Sequence, residues 1–176
     1  MNYIANTTVG IDTVIASLQS EFYDLISTLW QGEVNGYGRV YRNKGDNGIV
    51  PEWYAGEREY EPVYYDDMFA GNFFFIDGDS HPTSDEFCYT SDVKVCFMVN
   101  LAEILPNETG RADAKAQEDI VRALRAFAYE RYTITGIEKG IENVLRGFDT
   151  SQIQFEDIHP KHTFAVNLKL AYYINN

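Results

Sequence analysis

Hydrophobic and polar positions alternate in two stretches of the chain, and this period of two is typical of β-strands with one buried face. In the stretch 93–101, apolar side chains take every second position from Val93 to Leu101. In the C-terminal stretch, they take every second position from Phe164 to Ile174, which is the strongest strand signal in the sequence. We predict that these two strands lie side by side in the centre of a sheet.

A helix is predicted near the N-terminus, because apolar side chains recur there at spacings of three and four residues. The apolar stripe runs from Ile11 to Leu29, and the helix is expected to span about Val9 to Trp30. Gly32 supplies a stop signal just beyond it. A helix with one wide apolar face packs most simply against a sheet.

Two further helices are predicted between the two strands. The stretch from Thr109, its expected cap, to Phe127 carries a second apolar stripe. A shorter helix is predicted from Thr135, because TGIE at 135–138 has the form of a capping box. Gly147 would end this helix.

Shorter strands are predicted in the rest of the chain. One is expected at Tyr37–Asn43, and two more near 60–66 and 72–77. A segment around 152–157 is predicted to form a hairpin with the C-terminal strand, joined by the loop that contains IHPKH.

The order of these elements predicts an α+β fold, an antiparallel β-sheet with helices packed on one face. The length of 176 residues fits a single domain, 1–176. Residues 43–90 mix aromatic and acidic side chains without a regular core pattern, and we expect an extended loop or hairpin insertion there. Loops of this length inside a compact domain are usually functional.

The formal net charge is −13, and most of it lies in one segment. Between Pro51 and Val93, eleven acidic residues accompany a single basic residue, Arg58, which gives this segment a net charge of −10. The 14 Lys and Arg residues are dispersed along the chain. Because phosphate binding requires cations, direct recognition of nucleic acid is not expected.

Cysteine content and hydropathy exclude several classes of protein. Cys88 and Cys96 are the only cysteines, and they provide neither a disulfide framework nor a zinc quartet. The first ten residues lack the basic start and apolar run of a signal peptide, so none is expected. No stretch approaches the roughly 20 apolar residues of a membrane span. We expect reduced thiols and assembly in a cytosol.

Candidate catalytic chemistry is sparse in this sequence. Asp77, Asp79 and His81 in DGDSH could serve a metal-dependent hydrolase, but their spacing does not fit a calcium loop, and a tight turn explains them better. His159 and His162 lack further nearby ligands and are better explained by a hairpin loop. Neither a nucleophile elbow nor a phosphate loop occurs. We predict that the chain is not an enzyme and requires no cofactor or metal.

The segment 43–90 leaves three interpretations open: contact with another protein molecule, a flap over the domain's own core, or a glycan or small-ligand site. Buried aromatic side chains often anchor protein interfaces. A glycan site would use Trp53, Tyr54, Tyr64 and Tyr65 as stacking platforms. The candidate contact residues are Trp53, Tyr54, Tyr60, Tyr64, Tyr65, Phe69 and Phe73. The candidate acidic surface consists of Glu57, Glu59, Glu61, Asp66 and Asp67.

Four features together resemble the neck proteins of tailed bacteriophages, of the tail-terminator or tail-completion type. They are the N-terminal amphipathic helix, the strand DVKVCFMVNL, the helical stretch ADAKAQEDIVRALRAF and the closing strand HTFAVNLKLAYYI. The abundance of Tyr, Asn, Ile and Asp is similar to that in phages of gut Bacteroidales, including the crAss-like group. The resemblance covers most of the chain except 43–90, which is longer than expected.

The resemblance implies a structural virion protein that closes into a homo-oligomeric ring at the head–tail neck or tail end. Its partners would be copies of itself and neighbouring neck or tail proteins, and it would assemble in the host bacterial cytoplasm. The family carries no catalytic residues. DNA would pass through the ring without sequence-specific binding, and part of the acidic segment would face the channel or its rim. A metal-dependent hydrolase and a glycan-binding module are the alternatives.

Overall fold

The computed structural model describes residues 1–5, 8–65, 67–83, 85–127, 132–153 and 157–174. The strands are β1 (Asn2–Tyr3), β2 (Val34–Lys44), β3 (Ile49–Gly56), β4 (Glu59–Pro62), β5 (Gly71–Asp77), β6 (Cys88–Asn100), β7 (Tyr132–Lys139) and β8 (Lys161–Tyr173). Five of the strands, β2 to β6, follow one another without an intervening helix. The helices are α1 (Ile11–Leu29), α2 (Leu101–Ile104), α3 (Ala112–Ala126) and α4 (Ile141–Val144).

All eight of these strands belong to one mostly antiparallel sheet, in the order β4-β3-β2-β5-β6-β8-β7, with β1 parallel to β2. The β2–β5 pair is also parallel. Strands β6 and β8 pair without interruption from Cys88 opposite Tyr173 to Asn100 opposite Lys161. The prediction that these two strands are neighbours inside the sheet is therefore confirmed, and so is the α+β class.

Helices α1 and α3 cover one face of the sheet and enclose the larger of two cores. Phe22 of α1 is completely buried, with its ring centroid 6.4 Å from that of Phe97 on β6. Phe97 in turn stacks on Phe164 of β8, with 4.9 Å between the ring centroids. The apolar alternation of both strands points to this helix-covered face, as the sequence pattern predicts.

The opposite face of the sheet is also covered, which the sequence prediction of helices on one face alone did not include. A smaller core there contains Trp53, Phe74 and Met98 from the strands. Val144 of α4 and Val63, in the segment after β4, pack onto this second face. The sheet is therefore buried on both sides in its centre.

The structure does not confirm residues 43–90 as an insertion outside the sheet. Strands β3, β4 and β5 all come from this segment. β5 lies between β2 and β6, and Phe73, Phe74 and Phe75 on it are fully buried. This segment contains an exposed strand, β4, and a buried strand, β5, so its apolar residues follow no single period. For this reason the sequence alone suggests an insertion.

The predicted helix at 135–138 is wrong, because these residues belong to β7. Pairing with β8 satisfies their backbone groups and overrides the local capping-box signal. Ile137 is 43% exposed instead of facing inward. Only the four residues of α4 follow as a helix, and Gly147 lies beyond them with a φ of 89°.

Two smaller predictions also need correction. α3 begins at Ala112 with Arg111 before it, so Thr109 is not its cap. The neighbours of β8 are β6 and β7, not a strand at 152–157, and Ile153 lies outside the strands. Residues 154–156 of that predicted strand lie outside the described residues.

Candidate interaction site at the edges of the sheet

The first edge of the sheet is β4, which pairs with β3 on one side only. A tight turn at Glu57 and Arg58, both with positive φ, reverses the chain between these strands. All four residues of β4 are exposed. Glu57, Glu59 and Glu61 form no ion pair with any of the described residues. This edge therefore presents three solvated, uncompensated carboxylates.

A cluster of three tyrosines supports the same edge. The ring of Tyr60 lies 5.3 Å from Tyr41 on β2 and 5.4 Å from Tyr54 on β3, measured between centroids. The Tyr54 hydroxyl accepts a hydrogen bond from the backbone N–H of Arg58 at 3.3 Å. Tyr60 remains 40% exposed. The predicted contact residues Tyr54 and Tyr60 thus lie at the surface beside the acidic edge.

Arg39 links β2 to helix α1 and strand β5 through ion pairs. Its guanidinium donates to both carboxylate oxygens of Asp12 on α1, at 2.6 and 3.0 Å, and to Asp77 on β5 at 3.3 Å. The hydrogen bond with Asp12 is the main cause that raises the pKa of Arg39, and it outweighs the opposing effect of burial. A bidentate pair of this kind fixes orientation as well as charge.

Two predicted contact residues are buried within their own chain, so the interface prediction is wrong for them. Phe73 is 0% exposed and belongs to the larger core. Trp53 is 6% exposed, and its ring lies 5.5 Å from Tyr3 and 5.9 Å from Tyr37 in the smaller core. Both side chains face a core that neighbouring strands help to enclose. The sequence pattern of one strand does not show which strands lie beside it.

The remaining aromatic candidates, Tyr64, Tyr65 and Phe69, are only partly buried. Tyr64 and Tyr65 pack against the smaller core, and the Tyr64 hydroxyl donates to the backbone oxygen of Asp149. The ammonium of Lys161 lies 5.2 Å from the centre of the Tyr65 ring. This stretch after β4 has the arrangement expected of a flap that covers the domain's own core.

The acidic residues that follow this flap differ from those of β4. Asp67 is paired with Lys161 at 2.9 Å, so its charge is compensated. Asp66 lies outside the described residues. Of the predicted acidic surface, Glu57, Glu59 and Glu61 therefore form the group that the structure places together, at one edge of the sheet.

The opposite edge is β7, which pairs with β8 on one side only. Its side chains alternate regularly between partly buried and exposed. Ile137 and Lys139 are among the exposed ones. Sequence reasoning missed this edge because the capping box at 135–138 suggested a helix, although the alternation in YTITGIEK is itself a strand signal.

Three exposed basic residues lie at or near the β7 edge without an acidic partner among the described residues. Lys139 ends β7, and Lys169 on the interior strand β8 lies between Thr133 of β7 and Asp92 of β6. Arg125 is in the last turn of α3, next to Leu124, whose backbone oxygen accepts a 2.5 Å hydrogen bond from the Tyr132 hydroxyl. The β7 edge therefore carries charges of both signs, since Glu138 lies on the same strand as Lys139, whereas the β4 edge is acidic.

Of the residues proposed for metal chemistry, the structure brings Asp77 and His81 together, with 3.4 Å between the carboxylate oxygen and the ring nitrogen, and leaves Asp79 at the surface. Asp77 is engaged by Arg39, and the side chain of Asp79 is 83% exposed, 3.9 Å from Arg42. His81 contacts the Tyr172 hydroxyl at 2.8 Å and the backbone oxygen of Gly78 at 3.0 Å. Within the described ranges, no group of three His, Cys, Asp or Glu residues is arranged to hold a metal ion.

The structure places His162 and the two cysteines in packed surroundings. His162 stacks on Phe164 and contacts the Gln117 amide at 3.0 Å. Cys88 and Cys96 are both free and buried. Burial raises the pKa of the Cys96 thiol far above its ordinary value, which makes the reactive thiolate scarce.

The proposed glycan platforms do not lie together on one surface, since Trp53 and Tyr64 cover the smaller core. Tyr54 and Tyr41 line a pocket between α1 and the β2–β3 pair, with a volume of about 220 Å³. Pockets that enclose small-molecule ligands usually measure about 300–1,000 Å³. The pocket beside Tyr54 is therefore smaller than a usual small-molecule site, whereas a larger polar cleft of about 650 Å³ lies beside Arg111, His159 and His162.

Comparison with protein-family models, with curated proteins and with solved structures gave no match to this chain. Among the helices that the structure describes, none is long and apolar enough to cross a membrane.

Proposed function

We propose that this chain is a structural, non-enzymatic virion protein that assembles into a homo-oligomeric ring at the neck or tail end of a tailed bacteriophage. The observation that carries the proposal is that a single sheet ends in two open and dissimilar edges, β4 and β7. An open strand edge presents unpaired backbone groups and favours contact with another chain.

Dissimilar edges suit a ring better than a two-fold dimer. A two-fold dimer buries the same patch on both subunits, whereas a cyclic ring joins one patch of each subunit to a different patch of the next. The two edges lie at opposite ends of the sheet, separated by five intervening strands. Each subunit can therefore contact two neighbours at once without the contacts overlapping.

The sequence resemblance to tail-terminator and tail-completion proteins supports a place in the phage neck or tail. The elements on which it rests are present as α1, β6, α3 and β8. They form the helix-covered half of the sheet and its larger core. Neighbouring neck and tail proteins are the further partners in this proposal.

The acidic residues have a function in the ring that follows from charge alone. Part of the −10 segment, including exposed carboxylates beside β4, would lie at the rim or wall of the channel. Carboxylates repel phosphates, so DNA would pass without adhering to the wall. The chain would bind no DNA sequence and would act as a conduit in the virion.

Electron microscopy and mass measurement of the purified full-length protein test this proposal. We expect annular particles with a central opening and a mass that is a multiple of the 20.1 kDa subunit. A protein that remains a 20.1 kDa monomer at every concentration would contradict it. Thermal stabilisation by Mg²⁺, Mn²⁺ or Zn²⁺ that Asp79→Ala abolishes would favour a metal-dependent hydrolase instead.

A further inference from the structure

We propose that the second face of the sheet lies under a cover that opens while the larger core stays folded. The cover consists of residues 63–65 and 141–153, which pack onto the smaller core. The proposal concerns a single subunit, so it goes beyond the proposed ring and does not depend on it. Three observations carry it: the small apolar contribution of the cover, the unpartnered polar atoms beneath it, and the hydrogen bond that joins its two segments.

Apolar burial is much smaller under the cover than under the two long helices. Helix α1 contributes six buried apolar residues to the larger core, and α3 contributes four. The cover contributes three to the smaller core, Val63, Val144 and Leu145, and its other apolar side chains there are only partly buried. Because hydrophobic stabilisation scales with the apolar area removed from water, the cover is held less strongly than the helices.

Unpartnered polar atoms are concentrated on the second face. In the part of the chain that the structure describes, every buried side-chain polar atom without a hydrogen-bond partner lies on this face or in its cover. These atoms are the Trp53 indole nitrogen, the Asn72 and Asn167 amide oxygens, the Thr163 hydroxyl and one Asp149 carboxylate oxygen. A buried polar atom without a partner costs free energy, and water removes that cost when the site opens.

Two of these residues lie in the centre of the sheet. Asn72 on β5 and Thr163 on β8 are both opposite Met98 of β6, so the three side chains point to the same face. Asn72 is 3% exposed and Thr163 is 0% exposed. Their unpartnered oxygens therefore gain hydrogen bonds with water only when the cover moves away, which lowers the free energy of opening.

Hydrogen bonds link the two segments of the cover to the sheet and to each other. The Asn72 amide donates to the backbone oxygen of Val63. The Tyr64 hydroxyl donates to the backbone oxygen of Asp149, and this bond joins the two segments. The backbone N–H of Asp149 donates to the backbone oxygen of Ile49, at the start of β3, at 2.6 Å. We therefore expect the two segments to open together.

Cys96 provides a natural probe of this opening. It is 0% exposed in the smaller core, whereas its neighbour Val95 is equally buried in the larger core. Burial raises the pKa of the Cys96 thiol far above its ordinary value, so an alkylating reagent reacts with it only after the face has opened. Because the two positions are adjacent on β6, thiols at 96 and 95 compare the two faces at one place in the sheet.

Iodoacetamide labelling of the full-length chain under native conditions tests the proposal. Cys88→Ala leaves Cys96 as the single thiol. The matched control combines Cys88→Ala and Cys96→Ala with Val95→Cys, which places the single thiol on the helix-covered face. We expect Cys96 to react at least about 100-fold faster than the control thiol, because local openings require less free energy than global unfolding. Its rate should also change little at low denaturant concentration, since the opening exposes little surface.

Two substitutions in the Cys88→Ala chain test the cause of the opening. Tyr64→Phe removes the hydroxyl that joins the two segments, so Cys96 labelling should accelerate at least about threefold. Thr163→Val replaces an unpartnered hydroxyl with a methyl group of similar shape, so labelling should slow by a similar factor. Thr133→Val is the matched control, because Thr133 is exposed on β7 and its substitution should leave the labelling rate unchanged.

Equal labelling rates for Cys96 and the control thiol would overturn the proposal, because both faces would then open only on global unfolding. An unchanged rate in Thr163→Val would also contradict it, since the unpartnered atoms would not promote opening. Hydrogen exchange in the unmodified chain replaces the comparison if a thiol variant does not fold. The hydrogen-bonded amides of Leu145 and Asp149 should exchange at least about 100-fold faster than those in the middle of α1, and equal rates would overturn the proposal.

Discussion

At the scale of single residues, Gly71 of β5 lies too close to β6 to carry a side chain without a shift of its neighbours. A Cβ atom at this position would lie 2.7 Å from the backbone oxygen of Met98 and 3.0 Å from the Cα of Val99. Backbone atoms of an interior strand cannot yield to such a contact without moving the pair of strands apart. The absence of a side chain is therefore required for the register of the sheet centre.

We predict that Gly71→Ala lowers the free energy of unfolding by about 1–3 kcal/mol, as expected for overpacking in a well-packed interior. Denaturant titration measures this change. The matched control is Gly38→Ala on β2, where the nearest atom to a new Cβ would be the Gln19 side-chain oxygen at 3.4 Å. Equal losses in the two variants would show that the close approach at Gly71 has no special effect.

Two tyrosine hydroxyls should ionise only at unusually high pH. Burial raises the pKa of Tyr64 and of Tyr132 to about 12 from the ordinary 10.0, with smaller contributions from Asp149 and Glu21 respectively. The unfolded chain releases these protons first, so the stability that both groups contribute is complete below about pH 10 and declines as pH rises towards 12. We predict that Tyr64→Phe and Tyr132→Phe each remove one ionisation near pH 12 from the tyrosinate absorbance titration. If the ionisation near pH 12 is unchanged in either variant, its assignment to that tyrosine is wrong.

The residue scale also shows what a sequence can and cannot reveal about the candidate site. The polar composition of this segment predicts that its side chains are exposed. The structure places Glu57, Glu59, Tyr60 and Glu61 at the surface. The burial of Phe73 depends on which strands flank β5, a property of long-range pairing. Local composition therefore identified the acidic edge and misjudged the residues behind it.

At the scale of elements, sequence prediction was best where one period persists over many residues. The helix α1, and the strands β6 and β8, each keep one apolar face for ten or more residues, and all three were predicted. β7 was missed because a four-residue capping signal competed with an eight-residue alternation. Tertiary pairing with β8 decided between them, since it supplies hydrogen bonds along the strand.

Thr135→Ala distinguishes the strand from the helix that its sequence suggests. Removing a functional helix cap costs typically about 1 kcal/mol. Because Thr135 is exposed on β7, we predict a change in unfolding free energy within about 0.5 kcal/mol, measured by denaturant titration. Asn100→Ala is the comparison, since the Asn100 side chain does cap α2 by accepting from the Ala102 N–H at 3.2 Å. A larger loss at Thr135 than at Asn100 would argue for a capping role.

At the scale of the whole molecule, the net charge predicts that association depends strongly on salt. Interactions between exposed charges are screened over about 8 Å at physiological ionic strength and about 3 Å at 1 M salt. We predict that oligomers of the unmodified chain become more stable as NaCl is raised, as measured by light scattering, because salt screens the repulsion between subunits that each carry a net charge of −13. Oligomers that dissociate at 1 M salt would contradict this prediction and would indicate a contact held by opposite charges.

The whole-molecule arrangement also explains why the two edges of the sheet could not be found from the sequence alone. Strands β4 and β7 become edges only through the pairing order of the whole sheet, in which β5 lies between β2 and β6 and β8 lies between β6 and β7. A charge count by sequence halves would have shown the asymmetry but not the edges. The fold class was accessible from periodicity, whereas the pairing order that creates two dissimilar edges was not.

Native mass spectrometry of the unmodified chain is the most direct test of head-to-tail assembly into a ring. The account predicts one dominant species whose mass is a fixed multiple of 20.1 kDa, with few intermediates, because a ring gains its last contact on closure. A spectrum containing only the 20.1 kDa monomer, or a two-fold dimer that never grows, would contradict it.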